Sequence, residues 1–279
     1  MKRIILCADD YGQNSAVSQA IVELIAKKRL TATSCLSTSP EWSLHSKALL
    51  PFKEQVDLGL HFNLTEGIPL SQPFIQQYGG RFPALSRLII QAFTKKLDKK
   101  AIYAEFEAQL EQFECHLGQM PSFIDGHQHI HQLPIIREVI ISIWKSRPAL
   151  QGTYIRCTDN RSVYFDWKKS AFLKSVIIQL CGARALKNEL VHYHIPHNNS
   201  FGGIYQFSEA AHYPKIFPQF LQKLGDGGLI MCHPGMDSED VTDTIASSRF
   251  NEYQYLKSAQ FSLDCQSFGV DITRFFNRV

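Results

Sequence analysis

Two adjacent carboxylates, Asp9 and Asp10, follow directly on the apolar run Ile4-Ile5-Leu6-Cys7-Ala8 and stand just before Gly12 and a helix-like pattern. Neighbouring residues of a strand point to opposite faces, so the two can share a site only where the strand turns, and Gly12 is the residue expected to turn it. Adjacent like charges need a cation or a shared proton; one carboxylate on a metal and the other handling a proton would meet that need. A helix-capping Asp beside a solvated one is the plain alternative.

Three further groups can do chemistry. In Leu58-Gly59-Leu60-His61-Phe62-Asn63, alternation places His61 on the same side as Gly59 and Asn63, near the end of a strand. In Ile124-Asp125-Gly126-His127-Gln128-His129-Ile130-His131, the residues Asp125, His127, His129 and His131 share one face if the segment is extended. Four such groups are costly to bury without a cation or a hydrogen-bond network. The run is too long for one coordination sphere, so one or two residues would bind an ion and the rest would sit behind them or touch substrate. In Gly228-Leu229-Ile230-Met231-Cys232-His233-Pro234-Gly235, a buried-type strand delivers His233, which can titrate near neutrality as an acid or base, to its C-terminal end.

These residues gain weight from position. Short β-branched runs alternate with helical-period stretches, the pattern of βα units around a parallel sheet. Strands are expected at Arg3–Ala8, Thr33–Ser37, Val56–Asn63, Ser122–His127, Gly152–Cys157, Leu190–His194 and Gly228–Cys232. Helices are expected after the caps Asn14 and Ser15, and at about Ala101–Leu117, Pro134–Lys145, Trp167–Leu180, Ser208–Leu224 and Ser247–Ala259. Seven strands suggest a (β/α) barrel, in which Asp9/Asp10, His61, His127 and His233 all close strands and converge on one rim. An Asp with two His ligands leaves coordination positions free, as in a catalytic metal site, so metal-assisted hydrolysis is the reaction implied. The same donors suit an iron oxygenase, but the spare acid and base favour hydrolysis.

The chain has 279 residues, 44% hydrophobic and 20% charged, with a net charge of +3. That composition excludes a disordered or disulfide-stapled chain and gives no reason to expect a nucleic-acid or membrane partner. Seven scattered cysteines without a CxxC pair read as reduced, mostly buried thiols. With no signal-like or membrane-spanning run, a cytoplasmic location is expected. One domain over residues 1–279 is expected, with an insertion or lid at about 67–100, where Pro69, Pro73, Gly79, Gly80 and Pro83 break the alternation. His192, His194, His197, Asn198, Asn199 and Phe201–Tyr205 would line a substrate pocket or form a polar surface loop; Phe62, Phe201 and Tyr205 would stack on a substrate ring or pack in the core.

Cys7-Ala8-Asp9-Asp10-Tyr11-Gly12, Gly59-Leu60-His61-Phe62-Asn63-Leu64-Thr65-Glu66-Gly67, Asp125-Gly126-His127-Gln128-His129-Ile130-His131 and Cys232-His233-Pro234-Gly235 resemble, in order and spacing, the four signature blocks of the YdjC-like carbohydrate deacetylases. Gly79-Gly80-Arg81-Phe82 resembles the family's Gly-Arg-Phe insertion. The resemblance implies a distorted TIM-like barrel related to the polysaccharide deacetylases, and a divalent ion, Mg or Zn, that serves to remove acetyl groups from N-acetylated sugars or oligosaccharides. Carried over, Asp10, His61 and His127 match the metal ligands, Asp9 the base that activates water, and His233 the acid for the departing amine. Arg156 would orient Asp9, contact substrate or simply form a structural salt bridge, and Tyr11, where the family usually has Phe, Asn63, His129 and His131 are further candidates for substrate contact. A homodimer is left open.

Two other readings compete. An amidohydrolase- or phosphoesterase-type barrel also uses His-x-His, but normally at the first strand, which here carries Asp9 and Asp10. A silent sugar-binding regulator would have lost Asp9 or His233, and both are present.

Overall fold

The computed structural model describes residues 1–159, 179–238, 240 and 243–276. Its first strand shows how the sequence sets the architecture. In β1 (Lys2–Tyr11), Ile4, Leu6 and Ala8 pack outward with the helices, while Ile5 and Cys7 point into a smaller inner cluster with Ala32, Phe123, Tyr154, Phe201, Leu229 and Met231. Continuing that alternation brings Asp9 to the inner side. Helix α1 (Ser15–Ala26) buries Val17, Ala20, Ile21, Leu24 and Ile25, and the Asn14 side chain accepts the Val17 N–H at 2.9 Å, the cap expected of it.

The remaining strands are β2 (Ala32–Cys35), β3 (Asp57–Phe62), β4 (Phe123–Gly126), β5 (Tyr154–Ile155), β6 (Ser200–Gly202), β7 (Gly228–Cys232) and β8 (Val270–Ile272). They form one parallel sheet in the order β5-β4-β3-β2-β1-β7-β6, with β8 pairing the start of β1. The two ends of that order are joined outside the ladder: Ile155 N donates to Pro196 O at 2.9 Å, and the Asn198 amide bridges both backbone groups of Cys157 at 2.8 Å. The curled α/β sheet is therefore a distorted barrel. Its floor is closed by Phe275, stacked on Tyr154 at 4.1 Å and held through its N–H by Asp57 at 2.8 Å.

Helices α2 (Trp42–Leu49), α3 (Gln72–Tyr78), α4 (Leu85–Phe93), α5 (Lys99–Leu117), α6 (Ile136–Ser146), α7 (Arg184–His192), α8 (Tyr213–Lys223), α9 (Ala246–Lys257) and α10 (Ala259–Ser267) pack around the sheet. The stretch 67–100 carries α3 and α4, which seat Phe74, Leu88 and Ala92 in the core. The strand expected at Leu190–His194 is instead the end of α7: Leu186 and Leu190, four apart, are buried while Val191 is exposed, a helical rather than an alternating pattern. Strands β6 and β8 were not expected. The helix expected at Trp167–Leu180 lies almost wholly outside the described residues. Five of the seven free cysteines are buried; Cys115 is exposed and Cys181 half-buried. Among the described residues no helix is long and apolar enough to cross a membrane.

Gly59 shows why the inner face is closely specified. A Cβ there would lie 2.3 Å from the Phe123 ring, so only glycine lets that ring fill the barrel beneath His61.

Candidate functional site

Asp9 and Asp10 sit where β1 breaks its pairing. The register with β2 shifts between Ala8 and Tyr11, and Asp10 itself takes φ +66°, a left-handed conformation that Asp tolerates better than most residues. The turn that Gly12 was expected to make thus begins at Asp10, and it brings both carboxylates to the C-terminal mouth of the barrel. They line a cavity of about 350 Å³ together with His61, His127, His129 and His233. Asp10, His61 and His127 converge: Asp10 Oδ1 lies 3.3 Å from His61 Nε2 and 3.0 Å from His127 Nδ1, and the two ring nitrogens are 3.3 Å apart.

Each donor is braced from behind. His61 Nδ1 lies 2.7 Å from Asp125 Oδ1 and 2.8 Å from the Ser34 hydroxyl, which leaves Nε2 to face Asp10. Arg249 of α9 holds Asp10 Oδ2 at 2.8 Å and Asp243 at 2.7 Å. Burial by itself would depress the His61 imidazole, but Asp125 and Asp10 overcome it and push it up to about 10. Burial opposes ionisation of Asp10, yet Arg249 and the two imidazoles hold its carboxyl well below the usual range. The cluster is thus built for positive charge at its centre. A second group of candidate donors, Asp9, His61 and Asp125, already has its cation: Arg156, fully buried, binds Asp9 through both oxygens at 2.6 Å and Asp125 at 2.7 Å. The open set is therefore Asp10, His61 and His127, and two imidazoles with one carboxylate fit a divalent transition ion.

The extended face expected at Asp125, His127, His129 and His131 does not exist. The strand stops at Gly126, where a Cβ would lie 2.7 Å from His131 N, and residues His127–Gln132 form a tight turn with Gln128 and His129 at φ +53° and +60°. Asp125 and His127 still reach the site; His129 reaches the cavity wall, its ring held below the usual histidine range mainly by burial. His131 turns away, is depressed to about 4 by burial, and lies 3.0 Å from the Arg156 carbonyl through Nε2. Tyr11 is also absent from the cavity wall, its hydroxyl donating to His45 O at 2.7 Å, and Asn63 serves the loop after β3. Of the aromatic candidates, Tyr205 lines the cavity, whereas Phe62 and Phe201 are fully buried.

His233 lines the opposite wall, edge-on to Phe207 at 5.3 Å, with Nδ1 buried and unpartnered and its basicity lowered by burial. Its backbone N–H donates to Glu252 at 2.6 Å, and Tyr205 donates its hydroxyl to the other Glu252 oxygen at 2.6 Å. Neither Arg249 nor Glu252, one helical turn apart on α9, stands out in the sequence, because charged residues at that spacing ordinarily mark a solvated face. Burial pushes Glu252 from its ordinary 4.5 up to about 7. Because the folded value is the higher one, its stabilising contribution is complete below about 4.5 and is lost as pH rises through about 7. Thermal denaturation followed across that window should show a steeper fall for the wild type than for Glu252→Gln; parallel profiles would refute the burial account.

A family model described as YdjC-like protein matches residues 3–267. A "Carbohydrate deacetylase" of Mus musculus is 32% identical over 168 residues, 56% of this chain and 49% of its own length. A "Chitooligosaccharide deacetylase" of Yersinia pestis (strain Pestoides F) is 28% identical over 148 residues, 52% of this chain and 57% of its own. The chain thus spans about half the length of the curated relatives it matches. A crystal structure of an Enterococcus faecalis V583 protein, provisionally described as a cellobiose-phosphate cleavage protein, superposes with a TM-score of 0.72 at 20% identity, covering 98% of this chain and 97% of that one, which shows a shared fold.

Proposed function

This chain belongs to the YdjC-like protein family, and from that premise we propose that it is a metal-dependent carbohydrate N-deacetylase that releases acetate from N-acetylated sugars or oligosaccharides. One observation carries the reading: three buried donors converge in a cavity whose walls also present a second carboxylate, Asp9, and an unpartnered imidazole, His233. The names of the relatives supply the substrate class.

Asp10, His61 and His127 would hold the ion. A divalent cation there supplies Lewis acidity, polarising an acyl carbonyl and acidifying water beside it. Two imidazole nitrogens favour zinc, manganese, cobalt or nickel over magnesium, which prefers oxygen donors. Asp9 accepts the proton of the attacking water. Arg156 fixes that carboxylate through both oxygens, yet each oxygen retains a lone pair for the proton. His233 delivers a proton to the departing amine nitrogen, the Glu252 contact to its backbone setting where the ring stands.

Acetate release from N-acetylglucosamine mono- and oligosaccharides, by metal-stripped protein reloaded with single divalent ions, tests the reading. Metal-dependent release is expected. Turnover confined to aryl phosphates or esters would replace it with another hydrolase activity, and metal binding without any turnover would favour a binding role.

A further inference from the structure

The two histidines of the donor set use different ring nitrogens, Nε2 of His61 and Nδ1 of His127. A neutral imidazole offers a lone pair on one nitrogen only, so each must be told which one to expose. For His61 the buried Asp125 does this from within the barrel. For His127 the outward nitrogen, Nε2, is buried without a hydrogen bond, and the charged group it faces is the Glu66 carboxylate at 3.3 Å.

Glu66 is about half exposed, and a surface glutamate is ordinarily free to swing away. This one is held at both ends. The buried Asn63 side chain accepts the N–H groups of Thr65 and Glu66 at 3.0 and 3.2 Å and donates to the Glu66 carbonyl at 2.6 Å, pinning the backbone. Gln128 donates to Glu66 Oε1 at 3.0 Å from a left-handed backbone position, φ +53°, which leaves Oε2 turned toward His127. Such a conformation is unfavourable for a residue other than glycine.

We propose that Glu66 is a positioning residue, a strap anchored by Asn63 and Gln128 that orients His127 and leaves its Nδ1 lone pair directed at the Asp10–His61 centre. The inference rests on the metal reading above, and it gives Asn63 a role in building the loop rather than in touching substrate. Outer partners of this kind typically change metal affinity by 10–100-fold when removed.

The test is zinc affinity of the purified full chain, measured by competition with a chromophoric chelator. Glu66→Ala is expected to weaken binding within that 10–100-fold range. Glu66→Gln, which keeps an acceptor, should recover part of the loss, and Asn63→Ala, which frees the loop, should share it. Melting temperatures of the metal-free Glu66 variants should match the wild type, since a half-exposed side chain carries little of the fold. If the wild type binds zinc, His127→Ala abolishes binding and Glu66→Ala binds as the wild type does, the strap is overturned and the metal site stands. If the wild type binds no divalent ion, the metal reading falls and the strap falls with it.

Discussion

Turnover by an Asp9→Asn variant is expected to drop by roughly 10²–10⁴-fold, the range for loss of a general base, with metal affinity unchanged. The two halves of that result separate Asp9 from Asp10, its neighbour in sequence. Asp10 directs Oδ1 at both ring nitrogens, so its loss removes a donor; Asp9 has both oxygens on Arg156 and lies outside the open set. Asn keeps the size and one acceptor for Arg156 but has no carboxylate to take a proton. The check is steady-state acetate release by the loaded variant beside its metal affinity. Full activity would end the assignment of Asp9 as base, and lost metal would mean that Asp9 rather than Asp10 belongs to the donor set.

How far such a site can be read in advance depends on whether its geometry is local. Asp9 was legible because alternation from Ile4 to Ala8 fixes its face, and His61 because alternation sets it on the side of Gly59 near the end of its strand. His233 followed from an apolar strand that ends in Pro-Gly. The turn at Asp10 was legible only as a need, since a left-handed Asp leaves no mark in sequence that Gly12 does not leave more strongly. The histidine run failed as an extended face because period two is equally compatible with a chain that folds back on itself, and the close approach of His131 to Gly126 is a tertiary fact. Arg249 and Glu252 were hidden for a related reason: a charge pair on a helix says nothing of which face is buried. The three-residue strand β6 is too short for alternation to show, and the barrel is closed beside it by a side chain, Asn198, rather than by a ladder.

Arg156 is expected from the sequence to orient Asp9, contact substrate or form a structural salt bridge, and its surroundings make it the residue whose loss should hurt the fold most. It is fully buried, with Asp9 and Asp125 on its two terminal nitrogens and the Cys7 thiol 3.0 Å away. Burial would destabilise the guanidinium, but the two carboxylates more than compensate. Arg156→Met fills much of the volume with an apolar chain and strands two buried carboxylates beside His61, a change that typically costs about 3–5 kcal/mol. Against a total stability of about 5–15 kcal/mol, that brings the protein close to unfolding. Urea denaturation should show it as a lower midpoint with little change in slope. Arg156→Lys should recover only part, because an ammonium cannot fork to Asp9 and Asp125 together. The decisive variant is Asp9→Asn combined with Arg156→Met: removing one of the stranded charges should restore stability relative to Arg156→Met alone, whereas simple loss of packing would leave the double variant no better. Recovery would mean that the ion pair behind Asp9 exists to hold a charge the chemistry needs, since the fold would tolerate its replacement once that charge is gone.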